Sequence, residues 1–144
     1  MKKIILLITL SLSFFACNSD DNSSEKQLKP TFKNMVGDWV YTTIIRADGT
    51  ETPYEHRCST NKDYAHIIEN TEITTHFYNP TCNTQQWNCD NYYFNGNRII
   101  NCFEEFNNAR VTSLTSTTMK LEYDEDKGFG SVAGVARGLI LKKQ

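Results

Sequence analysis

The sequence predicts an all-β fold: a small antiparallel up-and-down barrel of about eight strands, preceded by a cleaved signal peptide and a flexible tether. Three observations predict it. Met35 to Arg46 (MVGDWVYTTIIR) carries β-branched and aromatic residues almost without interruption, which suits a pleated, largely buried strand and suits a helix poorly. Asn95-Gly96 is the sharpest turn signal in the chain, because Asn-Gly accepts the positive φ angles of tight hairpins. Met119, Leu121 and Tyr123 alternate with Lys120, Glu122 and Asp124, the pattern of a strand with one dry face and one wet face. No helical periodicity appears outside the signal, and no repeat. Closure into a barrel would remove the unpaired edges that such a sheet otherwise exposes. A two-sheet sandwich fits the same composition.

The chain begins with Lys2 and Lys3, then an apolar run from Ile4 to Phe15, then Ala16-Cys17. This is the order of a secretory signal, and the run falls short of the ~20 apolar residues that span a bilayer. Ala16-Cys17 resembles the lipobox of bacterial lipoproteins, although Phe14 and Phe15 replace its usual preceding residues. The resemblance implies cleavage after residue 16 and acylation of Cys17, with a palmitate-type chain on the new amino terminus. A secreted protein with a stray cysteine is the alternative. Residues 18–27 (NSDDNSSEKQ) contain no hydrophobic side chain, so residues 17–34 read as the lipidated cysteine and a flexible tether. Ser19-Asp20-Asp21 resembles the short acidic signal that sends some Gram-negative lipoproteins to the outer face of the outer membrane.

Removing 16 of the 144 residues leaves 128, of which residues 35–144 form one domain of roughly 110 residues, enough for a core of its own. Loss of Lys2 and Lys3 takes the basic count from 15 to 13 against 17 acidic residues, a formal charge of −4. No basic stripe appears, which argues against a nucleic-acid partner.

Four cysteines remain: Cys58, Cys82, Cys89 and Cys102. In an exported chain they read as two disulfides, with three connectivities open in principle. Cys58 and Cys82 lie symmetrically about Asn70, and Cys89 and Cys102 about the Asn95/Gly96 turn. Each pair would sit at the open end of its own hairpin, which favours Cys58–Cys82 and Cys89–Cys102. A zinc site is the weaker reading, because no CxxC pair is present.

After the first strand, residues 47–62 are polar, with Asp48-Gly49 and Pro53, and form the longest expected loop. Tyr64 to Ile68 and Ile73 to Tyr78 flank a turn at residues 69–72, giving a hairpin whose Ala65, Ile67, Ile73, Thr75 and Phe77 should point inward. Asn79 to Gln86 breaks the pattern. Asn91 to Phe94 and Arg98 to Phe103 flank the Asn-Gly turn, and Ala109 to Leu114 and Thr118 to Tyr123 form another hairpin. Val132 to Leu141 closes the fold.

Gly37-Asp38-Trp39 on a first strand resembles the Gly-x-Trp of lipocalins, and residues 111–121 (VTSLTSTTMKL) resemble the late hairpin of lipocalin-like domains in bacterial lipoproteins. The resemblance spans about Met35 to Lys143 and implies a calyx in which Trp39 plugs the closed end. It departs from the family in having no long carboxy-terminal helix. An eight-stranded interior is filled by side chains or holds one small ligand. Trp39, Tyr41, Phe77, Tyr92, Phe94, Phe103 and Tyr123 are therefore candidate ligand-binding residues, and equally candidate core.

His66 and His76 share one face of a hairpin, with His56 in the loop before it, but nothing completes a metal site around them. Asp124, Asp126 and Gly128 resemble a calcium loop only faintly and read as a solvated turn. No nucleophile elbow, zinc-protease motif or phosphate loop occurs, so no enzyme activity and no cofactor are expected. Two functions remain. The first is a membrane-anchored carrier of a small apolar or amphipathic ligand. The second is a filled barrel that meets a protein or glycan partner through its loops, with Trp87 exposed in the segment Asn79 to Tyr93.

Overall fold

The computed structural model describes residues 25–69, 72–128 and 135–144; the signal, Cys17, the first part of the tether and the tip of the 69–72 turn lie outside the described residues. A single-turn helix α1 (Phe32–Met35) precedes ten strands: β1 (Gly37–Ile45), β2 (Glu51–Pro53), β3 (Tyr64–Ile68), β4 (Glu72–Tyr78), β5 (Thr84–Asp90), β6 (Tyr93–Asn95), β7 (Arg98–Ile100), β8 (Arg110–Leu114), β9 (Thr118–Gly128) and β10 (Val135–Lys143). They form one sheet in the order β5-β4-β3-β1-β10-β9-β8-β7-β6, with β2 beside β1.

That is an up-and-down order with the first and last long strands side by side. The edges β5 and β6 are nevertheless joined by only Asn91 and Tyr92, so the sheet must curl until they approach. Among the described residues no ladder joins β5 to β6, and the expected closed barrel is a curled half-barrel with a seam. Asn91 at the seam takes φ +59, which turns the chain out of extended geometry between β5 and β6.

β1 organises the sheet, pairing with β10 on one side and with β3 and β2 on the other. It starts at Gly37 with φ +130, where a Cβ would lie 2.5 Å from the Lys143 side chain, so only glycine fits without strain. The β3–β4 register places Ala65, Ile67, Ile73 and Thr75 on the inner face, fully buried, with Phe77 half-buried beside them. The inward hairpin face is as its alternation predicts.

Several elements differ from expectation. Among the described residues ten strands form rather than about eight. The polar loop contains β2, which pairs with β1 through backbone alone, and residues 84–90, expected to be loop, form the edge strand β5. Polar composition conceals such strands, because backbone pairing needs no hydrophobic face at an edge. Asp124, Asp126 and Gly128 lie on an extended β9, not in a turn: Arg98 and Arg110 pair with Asp124, and Arg137 with Asp126. Phe103 falls beyond β7, in a turn region, because Asn101 at φ +63 ends the strand before it. The Asn-Gly hairpin closes one residue later than its dipeptide suggests, with Gly96 (φ +64) and Asn97 as the two loop residues.

Residues 25–28, within the expected tether, dock on the β8–β9 hairpin. The Leu28 amide donates to the Leu114 carbonyl at 2.7 Å, Gln27 bonds Ser113, and the Thr115 and Thr117 hydroxyls donate to the Glu25 carboxylate, holding it below the usual carboxylate range. Glu25, Gln27 and Leu28 therefore pack with the folded domain. Hydroxyl-rich turns give a polar segment partners that hydrophobicity does not reveal.

Candidate functional site

The concave face of the sheet is an aromatic interior. Trp39 is fully buried at one end, and its indole N–H donates to the Met35 carbonyl at 2.6 Å, so α1 supplies the acceptor that a buried tryptophan needs. Tyr41, two residues on, stacks on Tyr54 at 5.3 Å and on Phe77 at 5.7 Å between ring centroids. Tyr92 and Phe94 pack against Phe32 of α1. Tyr123 is buried near the other end, and Phe103 is half-buried against the core. All seven aromatic candidates thus contribute to one interior, and they fill much of it.

The interior is not purely hydrocarbon. The turn region between β7 and β8 inserts Glu105 and Phe106, and Glu105 is 1% exposed. The Tyr41 hydroxyl donates to Glu105 Oε1 at 3.0 Å, and the Tyr123 hydroxyl donates to the Glu105 carbonyl at 2.8 Å. Burial pushes the Glu105 carboxyl up to about 7, against the opposing pull of its own amide and the Tyr41 hydroxyl. Burial also raises both tyrosines well above their ordinary range. Lys127 Nζ lies 4.8 Å from the centre of the Tyr123 ring and donates to the carbonyls of Glu104 and Asn107.

A second polar group supports Tyr54. Its hydroxyl donates to buried Asp63 at 2.9 Å, Asp63 also accepts from the Tyr78 amide, and the Asp63 amide donates to His56 Nδ1. That last bond fixes His56 as an acceptor at Nδ1, consistent with a pKa lowered chiefly by burial.

The seam exposes part of the concave face. The register sets Trp87 opposite Thr75 and Cys89 opposite Ile73, so Trp87 lies on the inner face, yet it is 51% exposed. Thr75 is fully buried, and its hydroxyl has no partner among the described residues; the buried Tyr92 hydroxyl has none either, and burial pushes its pKa up to about 12. A ring on the rim, an orphaned hydroxyl behind it and half-buried Phe77 make a surface suited to an amphipathic molecule.

The cysteines join as Cys58–Cys82 and Cys89–Cys102, the pairs that hairpin symmetry favours. The second links β5 to the chain just after β7 and so crosses the seam. His66 pairs with Asp38, while His76 stacks on Tyr64 and contacts Gln86, so the two imidazoles serve separate neighbours. Among the described residues no group of three or more metal-ligating side chains forms.

Sequence reasoning passed over Glu105, Asp63 and Lys127. Asp63 and Lys127 sit in polar surroundings that mark nothing. Glu105 carried a faint signal, because Phe103-Glu104-Glu105-Phe106 brackets two acids with aromatic rings that want the core.

No protein-family model matches the chain, and no curated protein is similar to it. Among solved structures it is similar to the crystal structure of a lipocalin-like protein from Bacteroides uniformis ATCC 8492, with a TM-score of 0.54 and 14% identity over 77% of this chain and 99% of that one. A likeness at that identity concerns the fold: the domain is a lipocalin-like, curled antiparallel sheet.

Proposed function

We propose that this chain is a membrane-anchored lipoprotein that binds a small apolar or amphipathic ligand on the concave face of its half-barrel, at the seam beside β5. The observation that carries the reading is Trp87, which stands half in solvent on the inner face, across from a buried Thr75 hydroxyl that has no partner among the described residues. Large aromatic side chains left exposed on a concave surface are common binding anchors. A neutral apolar dye such as N-phenyl-1-naphthylamine should bind the parent chain and bind Trp87→Ala at least tenfold more weakly. Equal binding by both would remove this site.

Anchoring rests on the sequence. Acyl chains on Cys17, at ~0.8 kcal/mol per buried methylene, hold a domain to a bilayer without a spanning helix. The acidic residues behind Cys17 support the outer membrane and its exterior face as the location. Cys17→Ala should move the protein out of the membrane fraction, and retention there would refute the anchor. No catalytic role is proposed.

A second reading keeps the interior filled and places a protein or glycan partner on the outer surface. Tyr93 on edge strand β6, 53% exposed, favours it. The two readings separate by variant: Tyr93→Ser would abolish partner binding in the second and leave dye binding intact in the first.

A further inference from the structure

The end of the sheet at which β1 begins carries its charges unevenly. The Leu28 amide donates to the Leu114 carbonyl, and the Thr117 hydroxyl donates to the Glu25 carboxylate at 2.7 Å, so the docked segment lies against the β8–β9 turn. The Lys143 amide donates to the Thr117 carbonyl at 2.8 Å, which brings the end of β10 to the same turn. α1 adjoins both, with the Asn34 side-chain amide donating to the Lys29 carbonyl at 2.9 Å and Gly37 set against the Lys143 side chain. Five exposed lysines therefore collect on one corner: Lys26, Lys29, Lys33, Lys142 and Lys143. None of them forms a salt bridge among the described residues, and Lys143 Nζ lies 5.3 Å from the centre of the Trp39 ring.

The acids of this end are either engaged or set apart. Glu25 accepts from the Thr115 and Thr117 hydroxyls, and Asp38 pairs with His66. Glu72 and Asp90 face each other across the β4–β5 ladder, with Glu69 in the turn before it, all on the far side of β1 from β10. From Cys17 onward the chain has 13 basic and 17 acidic residues, a formal charge of −4. An anionic surface repels such a chain as a whole, so a basic corner decides which face approaches it.

The length of chain before the docked segment points the same way. Eight residues separate Cys17 from Glu25 and span at most ~29 Å, whereas a tether running to Asn34 would span up to ~61 Å. Docking of residues 25–28 thus shortens the leash and fixes the corner from which it leaves.

We propose that this lysine corner is the face by which the domain rests on its own membrane, with the ammonium groups on the phosphates of anionic lipid headgroups. The inference rests on the anchoring reading above and adds to it the face and the class of lipid. The tether holds the corner within reach of the headgroups, where lysines act inside a screening length of ~8 Å. β10 lies at the middle of the sheet order and β5 and β6 at its edges. A domain seated on Lys142 and Lys143 therefore tilts the seam, and Trp87 with it, away from the bilayer.

The test uses the protein purified from membranes and inserted into the outer leaflet of preformed vesicles. One set is phosphatidylcholine alone, the other equal parts phosphatidylcholine and phosphatidylglycerol. The intact mass first reports whether residue 17 carries acyl chains. An unmodified mass would overturn the anchoring reading, and the corner is then tested on the chain from Cys17 coupled through that thiol to a maleimide lipid. Lysines are acetylated with a water-soluble N-hydroxysuccinimide ester and read by peptide mass spectrometry. On the anionic vesicles the five corner lysines should react about fivefold more slowly than on the neutral ones, the ratio that one headgroup contact per lysine confers. Lys127, at the far end of β9, should react alike on both, and high salt should remove the difference at the corner. Acrylamide should quench Trp87 equally on both. Equal rates at the corner, or slowing as large at Lys127, would overturn the lysine corner and leave the anchor standing. Shielding of Trp87 by the anionic vesicles would overturn the tilt.

Discussion

The hydroxyl of Tyr41, in the middle of β1, donates to a carboxylate oxygen of Glu105 at 3.0 Å across the interior of the sheet. The acid belongs to a connection and the tyrosine to the strand on which the sheet is built. The bond therefore ties the β7–β8 connection to the centre of the fold, and it makes the domain sensitive to the charge on one carboxyl.

The first consequence is a pH dependence with a definite sign. Unfolded, the Glu105 carboxyl titrates near 4.5, and folded at about 7, raised by burial and by Glu104, lowered by the Tyr41 hydroxyl and by Lys127, with the buried Tyr123 hydroxyl on the Glu105 carbonyl. Below pH 4.5 both states hold the proton and its stabilisation is complete. As pH rises toward 7 the unfolded state ionises first, and stability falls by roughly 3 kcal/mol at ~1.36 kcal/mol per pH unit, then levels off. Other carboxylates add slopes of their own, so the difference between variants is the quantity to read. Glu105→Gln should gain on the parent between pH 4.5 and 7.5 in urea midpoints, and a difference that stays flat would contradict the assignment.

The disulfide across the seam gives the second. Cys89–Cys102 closes a separation of 13 residues, and replacing both cysteines by serine should cost roughly 3 kcal/mol in the chain-entropy account. Because no ladder joins β5 to β6, the loss should also be local. Hydrogen exchange should accelerate in β6 and β7 more than in β1 and β10. Uniform acceleration across all strands would show that the seam is held by something else.

Gly138 supplies a packing prediction. A Cβ built there would lie 2.5 Å from the Leu121 carbonyl oxygen, a backbone atom that cannot swing aside, beside the bulge in the β9–β10 ladder. Gly138→Ala should destabilise the domain by about 1–3 kcal/mol, as overpacking does. Thermal melts with and without the substitution measure it.

The strand core was legible in the sequence because period-two alternation and β-branched runs report burial directly. Ala65, Ile67, Ile73 and Thr75 face inward as read, and Met119, Leu121 and Tyr123 are buried as their pattern requires. What escaped was structure stabilised by backbone and polar contacts. β5 has only Cys89 buried, β2 pairs without a hydrophobic face, and the docked segment from Glu25 relies on hydroxyl partners. Glu105 escaped for a related reason: its role depends on Tyr41 and Tyr123, which reach it only after the sheet curls.

The two tryptophans allow a direct check of the concave face. Trp39 is fully buried and Trp87 is 51% exposed. Acrylamide should quench only the Trp87 emission, and Trp87→Ala should change stability by no more than ~0.5 kcal/mol, as an exposed position allows. A loss of several kcal/mol would mean that Trp87 serves the core and not a ligand.

The most direct measurement of the central claim is native mass spectrometry of the oxidised protein, purified without detergent as the Cys17→Ala variant from cells rich in small metabolites and lipids, beside the same protein carrying Trp87→Ala. Ligand binding on the concave face predicts a bound small apolar or amphipathic mass on the first protein and its loss from the second. A clean unliganded mass on the first, together with no uptake of added N-phenyl-1-naphthylamine, would contradict it and leave the outer surface around Tyr93 as the working face of the domain.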